Sequence, residues 1–260
     1  MALRSHRLSW PFVHWAVIAG AVLVLYAVEA VGAAARADVP ALPETPFVCA
    51  QVVLAIDGSQ STHESAFHRQ IKAFRAAFGS ERVYHAIQDC LPGSVAFAVI
   101  TWSGADEQDL CLDWSPVANR DDGHKLTAHF EGCRYFGGST DIGRAVDYGL
   151  HVLERSPFAS YYRIVFILTN GRTDRGADEA LSAARAQADA AMVTLAGYAL
   201  LRPEPQGSSP FLMPAARPLE RYVAEHVSTG PRAFTSYSRP EDDVESLLRA
   251  LTQMLRQEAS

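Results

Sequence analysis

The sequence predicts a doubly wound, Rossmann-like α/β domain: an open, mostly parallel sheet with one antiparallel edge strand. Three observations predict it. Short, nearly continuous apolar runs recur along the chain, as in strands covered on both faces. Between them lie longer segments whose apolar residues return every three or four positions, the period of an amphipathic helix. Only one pair of runs is close enough in sequence for a hairpin, so the other connections are crossovers.

The elements follow in order. QVVLAI (51–56) is the first strand, and Phe67, Ile71, Phe74 and Phe78 mark one face of the first helix. VAFAVIT (95–101) is a second buried strand; LCLDW (110–114) is its antiparallel partner, with Gly104 near the turn. A weaker helix covers Lys125 to Phe130, and Ile142, Val146, Leu150 and Leu153 define a clear one. RIVFIL (163–168) is the third core strand, the Ala-rich segment 178–192 a helix, and VTLAGYA (193–199) the fourth core strand. A Pro-rich stretch, 202–218, reads as a long surface loop. Tyr222, Val223, His226 and Val227 lie on a helix, and AFTSY (233–237) is the last strand. Pro240, Glu241, Asp242 and Asp243 open a final helix with Val244, Leu247, Leu248, Leu251 and Leu255 on its apolar face.

The amino end is a different kind of sequence. Arg4, His6 and Arg7 precede a predominantly apolar run from Trp10 to Val28, and Ala35-Arg36-Ala37 stands before Asp38. A positive start, an apolar middle and an A-x-A ending predict a secretory signal peptide over residues 1–37. The run is also long enough for an uncleaved membrane anchor, which remains the rival reading. Both place the rest of the chain outside the cytoplasm: periplasmic or secreted after cleavage, anchored to the inner membrane and facing the periplasm without it.

All four cysteines, Cys49, Cys90, Cys111 and Cys133, lie in the exported part, with no C-x-x-C pair, so disulfides are expected rather than zinc. Cys49 and Cys90 each precede a core strand. If those strands are parallel neighbours, their starts share one sheet edge, which favours Cys49–Cys90 and therefore Cys111–Cys133. The leader carries +2, from Arg4, Arg7 and Arg36 against Glu29, leaving −8 on the remainder of a chain of net charge −6. An acidic surface without a basic stripe argues against nucleic acid.

In doubly wound sheets the ligand site lies beyond the carboxyl ends of the strands. Three loops meet that rule. They carry Asp57, Ser59 and Ser61; Thr140 and Asp141; and Asn170 and Asp174. Every one of these side chains presents oxygen, the chemistry of a hard cation such as Mg²⁺. In an extended turn, residues two apart point the same way, so Asp57, Ser59 and Ser61 can converge.

Asp57-Gly58-Ser59-Gln60-Ser61 after an apolar strand, the later Thr140, and Asn170-Gly171 where Asp-Gly is usual resemble a von Willebrand factor A (VWA) domain with its metal-ion-dependent adhesion site, D-x-S-x-S, then T, then D. Thr101-Trp102-Ser103-Gly104, residues 137–143 and the segment from Tyr222 to Phe234 resemble an exported proteobacterial VWA-like family of unknown function. The resemblance implies a VWA-like domain over 49–258 after a short linker, 38–48, with sheet order 3-2-1-4-5-6. It implies one divalent cation, Mg²⁺ or else Mn²⁺ or Ca²⁺, held by Ser59, Ser61 and Thr140, with Asp57 bound directly or through water. An open position on the ion would take an acidic residue of another extracytoplasmic protein; a membrane is a partner only if the leader is retained.

Asn170 departs from the motif and leaves the site one negative charge short. Asp141 either restores that charge or caps the helix beginning near Ile142; the sequence allows both. Ser59, Ser61 and Thr62 also suit a helix start, with Glu64 as capping-box partner. A hydrolase reading is weaker, because Ser59 sits in D-G-S-Q-S rather than G-x-S-x-G and no histidine is placed as its base. A metal-free scaffold is a third reading, with Phe211, Leu212 and Met213 of the Pro-rich loop as its contact surface.

Overall fold

The computed structural model describes residues 45–201, 216–238 and 243–259. The leader, most of the Pro-rich loop including Phe211, Leu212 and Met213, and residues 239–242 lie outside the described residues.

Six strands form one sheet in the order β3-β2-β1-β4-β5-β6. They are β1 (Phe47–Asp57), β2 (Val95–Trp102), β3 (Gln108–Val117), β4 (Ala159–Thr169), β5 (Thr194–Leu200) and β6 (Thr235–Ser238). All neighbouring pairs are parallel except β2 with β3. This is the predicted doubly wound order with one antiparallel edge. The β2–β3 ladder carries register shifts between Phe97 and Val99 and between Val99 and Ile100. β1 and β4 start earlier than their apolar runs suggest, because Phe47 and Val48 pair with Ala159 and Ser160 at the sheet margin.

The helices are α1 (Glu64–Phe78), α2 (Glu81–Asp89), α3 (Arg120–Ala128), α4 (Ile142–Glu154), α5 (Asp178–Ala190), α6 (Ala216–His226) and α7 (Asp243–Ala259). Three of them begin where a side chain satisfies a free backbone donor: Ser80 accepts from Arg82 N, Asn119 from Asp122 N, and Asp141 from Arg144 N. The weak helix expected over 125–130 is displaced toward the amino end, starting at this Asn119 cap and closing in a 3-10 turn, His129–Gly132.

Alternation along the strands divides the core in two. Leu54 and Ile56 of β1 join Phe74, Phe97 and Phe166 beneath α1, α2 and α7, while Val53 and Ala55 join Ile100, Val146 and Ile167 beneath α4 and α5. Trp102 is fully buried in the second cluster, and Trp114 packs against it with its Nε1 donating to Val152 O at 3.2 Å. Helices α4 and α5 approach so closely that a Cβ on Gly143 would lie 2.5 Å from Leu181 N. Burial of each large apolar side chain here is worth roughly 1.5–3 kcal/mol.

Two bridges, Cys49–Cys90 and Cys111–Cys133, have Cα separations of 5.7 and 4.9 Å. The first joins the entries of β1 and β2, where Cys49 N also donates to Ser94 O at 2.8 Å. The second joins edge strand β3 to the segment leading toward α4.

Candidate metal centre

The carboxyl ends of β1, β2 and β4 bring the predicted loops to one edge. β1 ends on Asp57, whose side chain is fully buried. Its Oδ1 accepts from Ser59 N at 2.8 Å, and its Oδ2 from Thr169 Oγ1 at 3.1 Å and Asn170 N at 3.3 Å. None of the described ion pairs includes it. Burial pushes the Asp57 carboxyl above its ordinary range, opposed by hydrogen bonds from Ser59, Asn170 and Thr169.

The hydroxyls follow from the turn. Ser59 is extended, with φ −71° and ψ 161°, before a 3-10 turn, Gln60–Thr62. Ser59 Oγ lies 3.0 Å from Ser61 Oγ, and Ser61 Oγ donates to Asn170 Oδ1 at 2.6 Å. Asn170 Nδ2 donates in turn to Ser61 O at 2.6 Å. The amide therefore grips Ser61 at both its side chain and its carbonyl, a role an aspartate cannot fill because it has no N–H. His63 supplies no side-chain cap to α1 and sits at φ 56°.

Thr140 is buried on the neighbouring loop and tied to the Asn170 loop by a reciprocal pair: Thr140 N donates to Asp174 Oδ2 at 2.9 Å, and Asp174 N to Thr140 O at 2.8 Å. Asp141 takes the capping alternative, with Oδ1 accepting from Arg144 N at 3.0 Å. The loop before Thr140 is braced on the first: Gln60 N donates to Gly138 O at 2.8 Å, while Phe136 N and Gly137 N donate to Gly58 O at 3.2 and 2.9 Å. A Cβ on Gly138 would overlap the Glu107 carboxylate, so a larger residue there would have to displace that side chain.

Direct hydrogen bonds thus unite Asp57, Ser59, Ser61 and Asn170, and Thr140 is tied through Asp174 to the loop that carries Asn170. Sequence reasoning missed two supports. Thr169 reaches Asp57 from the last position of a buried strand, a place where a hydroxyl is itself a signal. Tyr222 OH accepts from Thr173 N at 3.2 Å, while Thr173 Oγ1 lies 3.4 Å from Thr140 O, a long-range arrangement without a local signature.

Among the described residues, no group of three or more His, Cys, Asp or Glu is placed to hold a metal ion. Hydroxyl and amide oxygens form a different donor set, and their spacing is informative. Around an octahedral Mg²⁺ with bonds of about 2.0–2.1 Å, adjacent ligand oxygens lie about 2.9 Å apart. The Ser59–Ser61 separation of 3.0 Å fits adjacent ligands, and the donor chemistry fits a hard cation.

A family model described as a protein of unknown function, DUF1194, matches residues 48–259. The chain belongs to the DUF1194 family. Among solved structures, this DUF1194 chain is similar to a von Willebrand factor type A protein from Catenulispora acidiphila. They share 15% identity and a TM-score of 0.51, over 82% of this chain and 43% of that one. It is also similar to the vWF domain of the type V pili tip protein Mfa5 from Porphyromonas gingivalis, at 10% identity and a TM-score of 0.50, over 81% of this chain and 95% of that one. The chain spans less than half the length of the first of these. No curated protein matches this sequence. The fold of this DUF1194 protein is that of a VWA domain.

Proposed function

We propose that this DUF1194 chain is an exported protein-binding domain that uses one divalent cation, Mg²⁺ or else Mn²⁺ or Ca²⁺, to recognise a carboxylate on an extracytoplasmic partner. The observation that carries the reading is the buried Asp57, outside every ion pair among the described residues, beside two hydroxyls spaced as adjacent ligands. In this reading Ser59, Ser61 and Thr140 hold the ion, Asp57 holds it directly or through water, and Asn170 orients Ser61. Asp141 stays with the helix cap. The bound ion would supply Lewis acidity at an open position for the partner's acidic side chain.

Recognition rather than bond-breaking suits Ser59, whose hydroxyl faces Ser61. Similarity to the vWF domain of a pilus tip protein supports an interaction role. The leader predicted over 1–37 and the two disulfides support export.

Calorimetric titration of the purified chain with Mg²⁺ and Mn²⁺, beside Asp57→Ala and Ser59→Ala, tests the cation. Saturable binding by the parent and at least a tenfold loss in each variant is expected, about 1.4 kcal/mol or more. No binding by the parent, or binding untouched by both substitutions, would sink the reading.

A further inference from the structure

The edge opposite the candidate metal centre carries a pattern that the cation does not explain. β2, β1, β4 and β5 are consecutive neighbours in the sheet, and all four enter it at this edge. Each entry presents one large apolar side chain to solvent. Leu91, ahead of β2, is 77% exposed; Phe47 on β1, 44%; Tyr161 on β4, 68%; Met192, ahead of β5, 69%. Among the described residues, the remaining large apolar side chain of this kind is Val244. Neighbouring strands lie about 4.8 Å apart, so the row extends roughly 14 Å across the sheet's end. Phe47 and Tyr161 meet edge to face with centroids 4.7 Å apart. Met192 is held at φ 54°, a left-handed conformation uncommon for a side chain of its size.

We propose that this row is a membrane-docking edge, laid on the lipid headgroup layer with Phe47, Leu91, Tyr161 and Met192 dipping into it. Three observations select lipid as the occupant. The chain enters the domain here, at β1, and the predominantly apolar run Trp10–Val28, long enough to cross a bilayer, lies just upstream in sequence. The row mixes phenylalanine and tyrosine with leucine and methionine, and tyrosine favours membrane–water interfaces, where its ring is buried and its hydroxyl stays wet. Charge beside the row is mixed. Elements that end or begin here carry both signs, Arg155 and Arg163 with Asp89 and Glu154, so this edge is less uniformly acidic than the overall −8 implies and meets less repulsion at anionic headgroups. Docking on this edge would turn the Asp57 edge away from the lipid.

The test places a photo-crosslinking residue, p-benzoylphenylalanine, at Tyr161, at Met192 or at exposed Asp106 on the opposite edge, in the full chain with vesicles of phosphatidylethanolamine and phosphatidylglycerol. Lipid adducts from positions 161 and 192 at about ten times the yield from 106 are expected. Adding Leu91→Ser and Met192→Ser should lower the yield at 161 at least about threefold, since two apolar insertions are lost. These exposed changes should leave the thermal midpoint in place, which separates lost docking from lost folding. Equal yields at all positions, chain-to-chain adducts from 161 and 192, a chain that stays off the vesicles, or a yield at 161 indifferent to the double substitution would each overturn the proposal. None of these readouts involves the cation, so its failure and that of the metal reading are distinguishable.

Discussion

The two ends of the parallel strands are built from opposite materials. At the carboxyl ends, polar side chains are buried and hold one another: Asp57, Ser59 and Thr140 are enclosed, and the hydrogen bonds run from loop to loop. At the entries a covalent bridge and apolar packing hold the strands, and large apolar side chains are among those left to solvent. A polar end contributes little net stability, because each internal hydrogen bond replaces one to water and nets about 1 kcal/mol. The entry end and the two core layers hold the strands together, so the polar end is free to be shaped for binding.

The sharpest way to break this contrast is to open the bridges separately. Replacing both Cys49 and Cys90 by Ala should remove about 4 kcal/mol of unfolding free energy through chain entropy, for a separation of 41 residues, and leave the Mg²⁺ titration unchanged. Replacing Cys111 and Cys133 should remove about 3 kcal/mol for a separation of 22. It should also weaken Mg²⁺ binding, because Cys133 anchors the segment whose Phe136 and Gly137 amides brace Gly58. Denaturant unfolding beside calorimetry reads both. Equal effects of the two pairs on the titration would show that the ends are not separable.

A smaller change sharpens the polar end. Asn170→Asp restores the charge of the usual motif but deletes the donor to Ser61 O and sets a carboxylate against that carbonyl. The metal-free protein should lose about 1–2 kcal/mol while Mg²⁺ affinity rises. Stability unchanged without metal would mean that the Asn170 clamp on Ser61 is dispensable.

The smallest expected effect is a slope with pH. The Asp57 carboxyl is raised by burial from its ordinary 3.8, so the folded chain holds that proton more tightly than the unfolded one. Its contribution is full below the unfolded value and is lost as pH rises through the folded one. Stability should therefore decline from acidic toward neutral pH in metal-free buffer, and Asp57→Asn should flatten that decline. Urea midpoints across the range check it; an identical slope in Asp57→Asn would assign the effect to other groups.

Much of this architecture was legible in the sequence because burial writes itself as apolar runs. All six strands and the doubly wound alternation follow from that signal. Helix α2 was not legible: it starts at once after Gly79 and Ser80, and its buried Val83, Tyr84, Ala86 and Ile87 span too few turns to establish a period. At the candidate site, the oxygen-bearing residues could be chosen by type and position. Their partners could not, since Tyr222 reaches Thr173 across 49 residues and the Asn170 amide reaches Ser61 across 109. Asp141 shows the limit most plainly, because cap and ligand have the same sequence signature and only the direction of the carboxylate separates them.

The outermost strands have a consequence for the protein at high concentration. β6 is only four residues long, and β3 carries Pro116, exposed Asp109 and two register shifts along its ladder. A sheet margin offering one short strand and one irregular, charged, proline-bearing strand is a poor template for pairing with a second chain. Fibrillar aggregation through strand addition is thereby discouraged at both margins, and crowding alone should not convert the folded domain into polymer.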